Sequence, residues 1–185
     1  MGFCWSERMK KEMEYTIRNL SNKDLAKFVK YESMLSKERK EYANFWQVVE
    51  KTLLSEEDLH RWFQNLRKSI LNGDTVARVV EVNMEIVGLC TIIRHGKWQE
   101  TSHVGELGIE ILSSYRHKGL GSALLAEVIK EGKRRFEIIE CNVFSINKHA
   151  IKLYRKFGFK KCGTWPKHIK KNGKYIDITL MCLEV

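Results

Sequence analysis

The chain has 185 residues, 43% of them apolar and 10% aromatic, which is the length and the material of one globular domain with its own core. No window approaches the roughly 18 to 20 uninterrupted apolar residues of a bilayer span, and Met1-Gly2-Phe3-Cys4-Trp5 runs directly into Ser6-Glu7-Arg8 without a signal-peptide core, so a cytoplasmic protein with no membrane partner is expected. A net charge of +10 favours polyanionic partners (nucleic acid, an acidic surface or a phosphorylated cofactor) without choosing among them.

Residues 1–12, including Lys10-Lys11-Glu12, carry no pattern and are expected to be a loose extension ahead of one domain over 13–185. Residues 15–20 alternate like a short strand. Ser21-Asn22 with Asp24 marks a helix start, followed by Leu25, Phe28, Val29 and Leu35 at helical spacing. The stretch 42–54 is aromatic-rich and fits no element. Ser55-Glu56-Glu57-Asp58 is an N-cap with acids in the first turn of a helix carrying Leu59, Trp62, Phe63, Leu66 and Ile70, and Asn72-Gly73 stops it.

From residue 75 the rhythm changes to strands. A hairpin is predicted over 76–82 and 86–94 with its turn at Asn83-Met84-Glu85, then a loop over 95–102 and a third strand over 104–112. A long helix over 119–135, a strand over 138–144, a helix over 147–157 and strands over 159–164 and 174–183 complete the chain, the last announced by Asn172-Gly173. Strands and helices in this order make a mixed α/β domain around one sheet. The five cysteines, Cys4, Cys90, Cys141, Cys162 and Cys182, are odd in number and never at a two-residue spacing. Buried free thiols are expected from them, with no disulfide framework and no metal site.

The most informative stretch joins the third strand to the long helix. Gly119 and Gly121 at the helix start let backbone N–H groups that lack an intrahelical partner face outward, where an anion fits. Arg116, His117 and Lys118 lie at the positive end of the helix dipole, where each cation is disfavoured by about 0.3 to 1 kcal/mol. A bound pyrophosphate reverses that sign. A dinucleotide fingerprint would need a third glycine where Leu124 stands, and a P-loop would need Gly-Lys-Ser or Gly-Lys-Thr; neither template matches.

The pattern Arg116-x-x-Gly119-x-Gly121-x-Ala123 resembles the acetyl-CoA signature of the GNAT superfamily of N-acetyltransferases. A second stretch, Asn147 with Ala150, Tyr154 and Phe157-Gly158-Phe159, is similar to that family's later motif. The resemblance covers residues 75–185 well and the amino-terminal helices in outline. It implies a GNAT-like fold: a central, mostly antiparallel twisted sheet of about six or seven strands flanked by about four helices.

It also implies an acetyl-CoA-dependent N-acetyltransferase in which a primary amine of a small molecule, or of a protein amino terminus or lysine, attacks the thioester directly. A bulge in the strand over 107–112 would place Ile109, Glu110 and Ile111 beside the pantetheine arm. Arg116, His117, Lys118, Gly119, Leu120, Gly121 and Ser122 would hold the pyrophosphate, and no metal is implied. Lys133, Arg134 and Arg135, about 20 Å along the helix at about 1.5 Å per residue, read as surface cations.

Asn147 reads both as a plain N-cap and as the family residue that bonds the cofactor arm, and Tyr154 both as a core tyrosine and as the acid that protonates the departing thiolate. An amine near pKa 10.4 is only about 0.1% neutral near pH 7.4, whereas an α-amino group near 8 is roughly a fifth neutral, so the first needs a base more. Glu106 is the leading candidate. Where relatives that acylate protein amino termini carry a base, this chain has Asn142; Glu140, on the same face, could act through a water.

Three readings stay open for function: transfer to a small amine such as a polyamine, antibiotic or amino sugar; transfer to protein amino termini or lysines; and a non-catalytic acyl-CoA-sensing or nucleic-acid-binding module. The last draws on the +10 charge, but no nucleic-acid motif accompanies it, so nucleic acid is disfavoured as a partner. A second copy of the chain, as in a homodimer, is a further candidate partner. The amino-terminal helices, the loop carrying Trp98 and the hairpin over 165–174 are expected to shape the acceptor site.

Overall fold

The computed structural model describes residues 13–41, 55–96, 98–171 and 173–185. The expected amino-terminal extension, Cys4 and the aromatic-rich stretch 42–54 lie outside those residues.

Strand β1 (Thr16–Arg18) leads through a 3-10 turn at Asn22–Asp24 into helix α1 (Leu25–Glu41). The Asp24 carboxylate accepts the Ser21 N–H at 2.7 Å and two guanidinium nitrogens of Arg18 at 2.8 Å, so this helix start also clamps β1. Burial pushes the Asp24 carboxyl up, but the hydrogen bonds from Arg18 and Ser21 outweigh it and hold the group at about 2. Helix α2 (Glu56–Leu71) starts with a reciprocal cap: Ser55 Oγ accepts the Asp58 N–H at 3.1 Å, and Asp58 Oδ2 accepts the Ser55 N–H at 3.2 Å. The two helices meet at Phe28, whose ring lies 4.8 Å from Trp62 and 5.1 Å from Phe63.

Strands β2 (Thr75–Val82) and β3 (Glu85–Arg94) form the expected hairpin. Asn83 and Met84 turn it with φ of 49° and 64°, as a two-residue turn matched to strand twist requires. Strand β4 (Val104–Ile111) is followed by helix α3 (Leu120–Gly132), strand β5 (Ile138–Phe144), helix α4 (Lys148–Lys156) and the hairpin of β6 (Lys160–Lys171) and β7 (Lys174–Glu184). The seven strands form one sheet in the order β1-β2-β3-β4-β5-β7-β6, antiparallel throughout except at β4–β5. α3 buries Leu120, Leu124, Leu125 and Val128, a helical stripe that joins one core with Phe28, Leu66, Ile92 and Ile139.

Seven strands and four α-helices among the described residues match the expected architecture. Two details differ. β6 runs on to Lys171 rather than stopping near 164, with register shifts between Lys161 and Gly163 and between Trp165 and Ile169. Residues 164–168 are all exposed, so burial imposes no apolar alternation there for a sequence pattern to show. The bulge expected in β4 is absent: its register with β3 runs unbroken from Arg94↔Gly105 to Gly88↔Ile111.

Candidate active site

The feature that positions the site is the parting of β4 from β5. The two pair at Val104↔Ile138, Gly105↔Ile139 and Glu106↔Glu140, and beyond these, among the described residues, β4 and β5 share no further rung. Divergence, rather than a bulge, uncovers the main chain of β4. Ile109 and Glu110 are half-buried along this edge and Ile111 is buried. The Glu110 carbonyl accepts the Tyr31 hydroxyl at 3.1 Å, which ties α1 to the strand.

Beyond β4 the chain makes a 3-10 turn at Ser113–Tyr115, extends at Arg116, and enters α3 through His117 and Gly119 with φ of 60° and 86°. A side chain at Gly119 would be strained by that φ. Ser122 and Ala123 both give their N–H to the Gly119 carbonyl, at 3.0 and 3.1 Å, so among the described residues the first helical turn leaves the N–H groups of Leu120 and Gly121 as donors. A Cβ at Gly121 would meet Ile111 at 3.5 Å and Leu153 at 3.6 Å, ordinary contact distances. Packing therefore does not account for this glycine.

The cations of this turn differ in placement. His117 and Lys118 are exposed, the first with its ring 5.2 Å from His149 of α4, the second with its ammonium 5.3 Å from the Tyr115 ring. Arg116 reaches back instead: its Nε donates to the Ile111 carbonyl at 2.8 Å and its Nη2 to Glu38 of α1 at 3.1 Å. Glu38 also accepts the N–H and hydroxyl of Ser113 at 2.9 and 2.8 Å, so Arg116 and Glu38 together fix the shape of the loop. Leu120 is 1% exposed, which leaves only its N–H for a ligand; Ser122 is half-buried.

Across the cleft, Asn147 caps α4: its Oδ1 accepts the Ala150 N–H at 3.1 Å. Tyr154, 6% exposed, packs its ring 5.6 Å from Phe159. Burial, with the neighbouring Cys141, Cys90 and Glu110, pushes its pKa well above the ordinary tyrosine value, so the hydroxyl stays protonated and can donate.

Glu106 and Glu140 face each other across the last paired rung of β4 and β5. Asn142 Nδ2 donates to Glu106 Oε1 at 3.4 Å, and Glu140 Oε1 lies 2.7 Å from Nδ1 of His95. Asn142, which cannot itself take a proton, thus orients Glu106, while Glu140 is engaged by an imidazole. Strand alternation puts Glu106, Glu140 and Asn142 on one face and Cys141, beside Tyr154, on the other. Sequence reasoning missed Glu38, His95 and His149. Glu38 looks like any solvated helix acid, 75 residues before its partner Ser113, and His95 stands just past a strand end.

Among the described residues no three His, Cys, Asp or Glu side chains converge on a metal site, and no helix is long and apolar enough to cross a membrane. Cys90 and Cys141 are buried thiols, as expected. Cys162, on the edge strand β6, is exposed, and Cys182, on β7, is half-exposed.

The fold superposes on those of solved acetyltransferases. One from Streptococcus pneumoniae described as of the GNAT family superposes with a TM-score of 0.80 at 26% identity, over 93% of this chain and all of that one. A ribosomal-protein-alanine N-acetyltransferase from Brucella melitensis gives 0.77 at 26% identity, over 92% and 99%. In sequence, the L-amino acid N-acetyltransferase of Escherichia coli is 36% identical over 102 residues, 54% of this chain and 62% of that protein. The chain spans about 61 to 62% of the length of the curated relatives it matches. The model of the acetyltransferase (GNAT) family matches residues 32–159, and the chain belongs to that family.

Proposed function

We propose that the chain transfers the acetyl group of acetyl-CoA to the α-amino group of an amino acid or polypeptide. The observation that carries the donor half is the helix start at the mouth of the parted strands, with two outward N–H groups, exposed His117 and Lys118, and a glycine that packing does not require. These residues suit a pyrophosphate, and the uncovered edge of β4 suits the amide-bearing pantetheine arm. Acetyl-CoA supplies the activated acyl carbon.

The chain's own residues handle two protons. Glu106, oriented by Asn142, takes the proton that the ammonium form of the amine must lose, directly or through a water; the neutral nitrogen then forms the new bond to the acyl carbon and, as it becomes an amide nitrogen, gives up its second proton to solvent. As the carbon–sulfur bond breaks, the sulfur takes the proton of the Tyr154 hydroxyl, which burial has kept in place. The tyrosine is then reprotonated from solvent.

An α-amino acceptor is favoured because such amines are partly neutral near pH 7.4 and ask little of a base. Two relatives bear names that point the same way, an L-amino acid N-acetyltransferase and a ribosomal-protein-alanine N-acetyltransferase. Acetyl-CoA titration by calorimetry, followed by a screen of amines for release of free CoA, tests both halves. Saturable binding with turnover of α-amines is expected; no binding at millimolar acetyl-CoA overturns the donor assignment, and turnover confined to side-chain amines or polyamines overturns the acceptor.

A further inference from the structure

The β6–β7 hairpin outruns the sheet. Phe144, the last residue of β5, pairs with Ile178, which pairs in turn with Trp165. Past that rung, among the described residues, the hairpin has no neighbouring strand, and it projects beyond the same end of β5 toward which β4 and β5 have parted. Residues 160–176 contain six lysines, Lys160, Lys161, Lys167, Lys170, Lys171 and Lys174, and no Asp or Glu.

On the projecting part the ammonium groups of Lys167 and Lys170 lie 5.9 and 5.5 Å from the centre of the Tyr175 ring, and the His168 ring lies 4.8 Å from that of Trp165. Tyr175 and Trp165 are 55% and 41% exposed. The next acid in the chain, Asp177, is engaged with the main chain, where its Oδ1 accepts the Lys167 N–H at 2.7 Å.

Lysines, Pro166 and register breaks on β6 are what protects an exposed sheet edge from pairing. Edge protection does not explain cations gathered on an exposed tyrosine of β7. Like charges held together raise the energy of the free protein, and an anion lowers it. Because the two aromatic rings are already faced by the arm's own lysines and histidine, the surface offers positive charge rather than open stacking platforms for bases.

We propose that this arm binds an acidic stretch of a polypeptide acceptor whose amino terminus sits in the cleft, a selectivity that rests on the α-amino acceptor proposed above. From Leu180, opposite Asn142, to Tyr175 is five residues of strand, about 17 Å at about 3.4 Å per residue. An extended acceptor meets the arm with about its fifth to eighth residues. A free amino acid does not reach it.

The test uses the whole chain, acetyl-CoA and three twelve-residue peptides that differ only at residues 5 to 8, carrying Glu, Gln or Lys there. At low salt the Glu peptide is expected to exceed the Lys peptide about tenfold in kcat/KM, the gap closing near 0.5 M salt. Lys170→Glu with Lys174→Glu should invert the order while leaving acetyl-CoA affinity and Tm as in the parent. Equal kcat/KM for the three peptides, or an unchanged order in the double variant, overturns the arm's role. So does tighter binding of a twelve-nucleotide single strand than of the Glu peptide, lost in the variant, which makes the arm a nucleic-acid site. Anisotropy with labelled peptides separates the two proposals: if no peptide is acetylated the acceptor reading fails, and the arm is then judged by binding alone, failing if the Glu peptide binds no better than the Lys peptide.

Discussion

In the proposed reading, one uninterrupted strand, turn and helix over residues 107–125 on the α3 side of the cleft would offer main-chain donors to the donor substrate, whereas Glu106, Glu140 with His95, Asn142 and the β6–β7 arm come from separate segments and would act through side chains. A main-chain anion site depends on a few φ values and a glycine, and it changes only when the backbone does. A side-chain site can be rebuilt residue by residue on the same sheet. The donor half is thus fixed by the fold, and the acceptor half is where members of one fold can differ.

Tyr154 stands between the two halves and tests the comparison hardest. Tyr154→Phe is expected to lower kcat about 100-fold, within the range for loss of a general acid, with acetyl-CoA affinity unchanged by calorimetry. Because its pKa is raised, the tyrosine should contribute no titration to the pH–rate profile of the parent between pH 6 and 9. Equal rates in variant and parent would leave Tyr154 as a core residue only.

Gly121→Ala probes the donor half alone. The added methyl group finds ordinary contact distances, so Tm should move by only a few degrees, while acetyl-CoA binding weakens about tenfold because the methyl group occupies the ligand's approach. Unchanged affinity would mean that the ligand does not lie on this turn. Glu106→Gln probes the acceptor half and should reduce kcat/KM about fivefold. An unchanged kcat/KM moves the role to Glu140 or to water, and His95→Ala, which frees Glu140, separates those two.

The same contrast explains how far the sequence could be read. The strand, turn and helix over 107–125 are contiguous, so turn chemistry marks them, whereas Asn147 and Tyr154, which spacing alone reads equally as a plain cap and a core tyrosine, stand out as site residues through the resemblance of their motif. The Glu38–Arg116 and Glu140–His95 pairs join residues 78 and 45 positions apart, and nothing local marks them. The β4 bulge was expected by resemblance, but strand divergence achieves the same exposure. The outer half of β6 was unreadable because it is exposed, and without a buried face a strand has no apolar alternation to display.

The smallest expected effect lies outside both halves and shows that the others are specific. Asp24, Arg18 and Glu81 lock β1 to β2 and to the start of α1, two strands away from β4. In the folded chain the Asp24 carboxyl is held at about 2, below its ordinary 3.8, so its contribution is present above pH 4 and is lost as pH falls from 4 toward 2. Solvent weakens the pairing, since the Arg18 side chain is 31% exposed, and the contribution is about 1 to 2 kcal/mol. Asp24→Asn should therefore lower stability to urea by that amount at pH 7, flatten the acid limb of the stability curve between pH 4 and 2, and leave kcat, KM and acetyl-CoA affinity unchanged. A loss of turnover at full folding would show that the β1–β2 edge is coupled to the cleft through β3, and the separation into donor and acceptor halves would then be too simple.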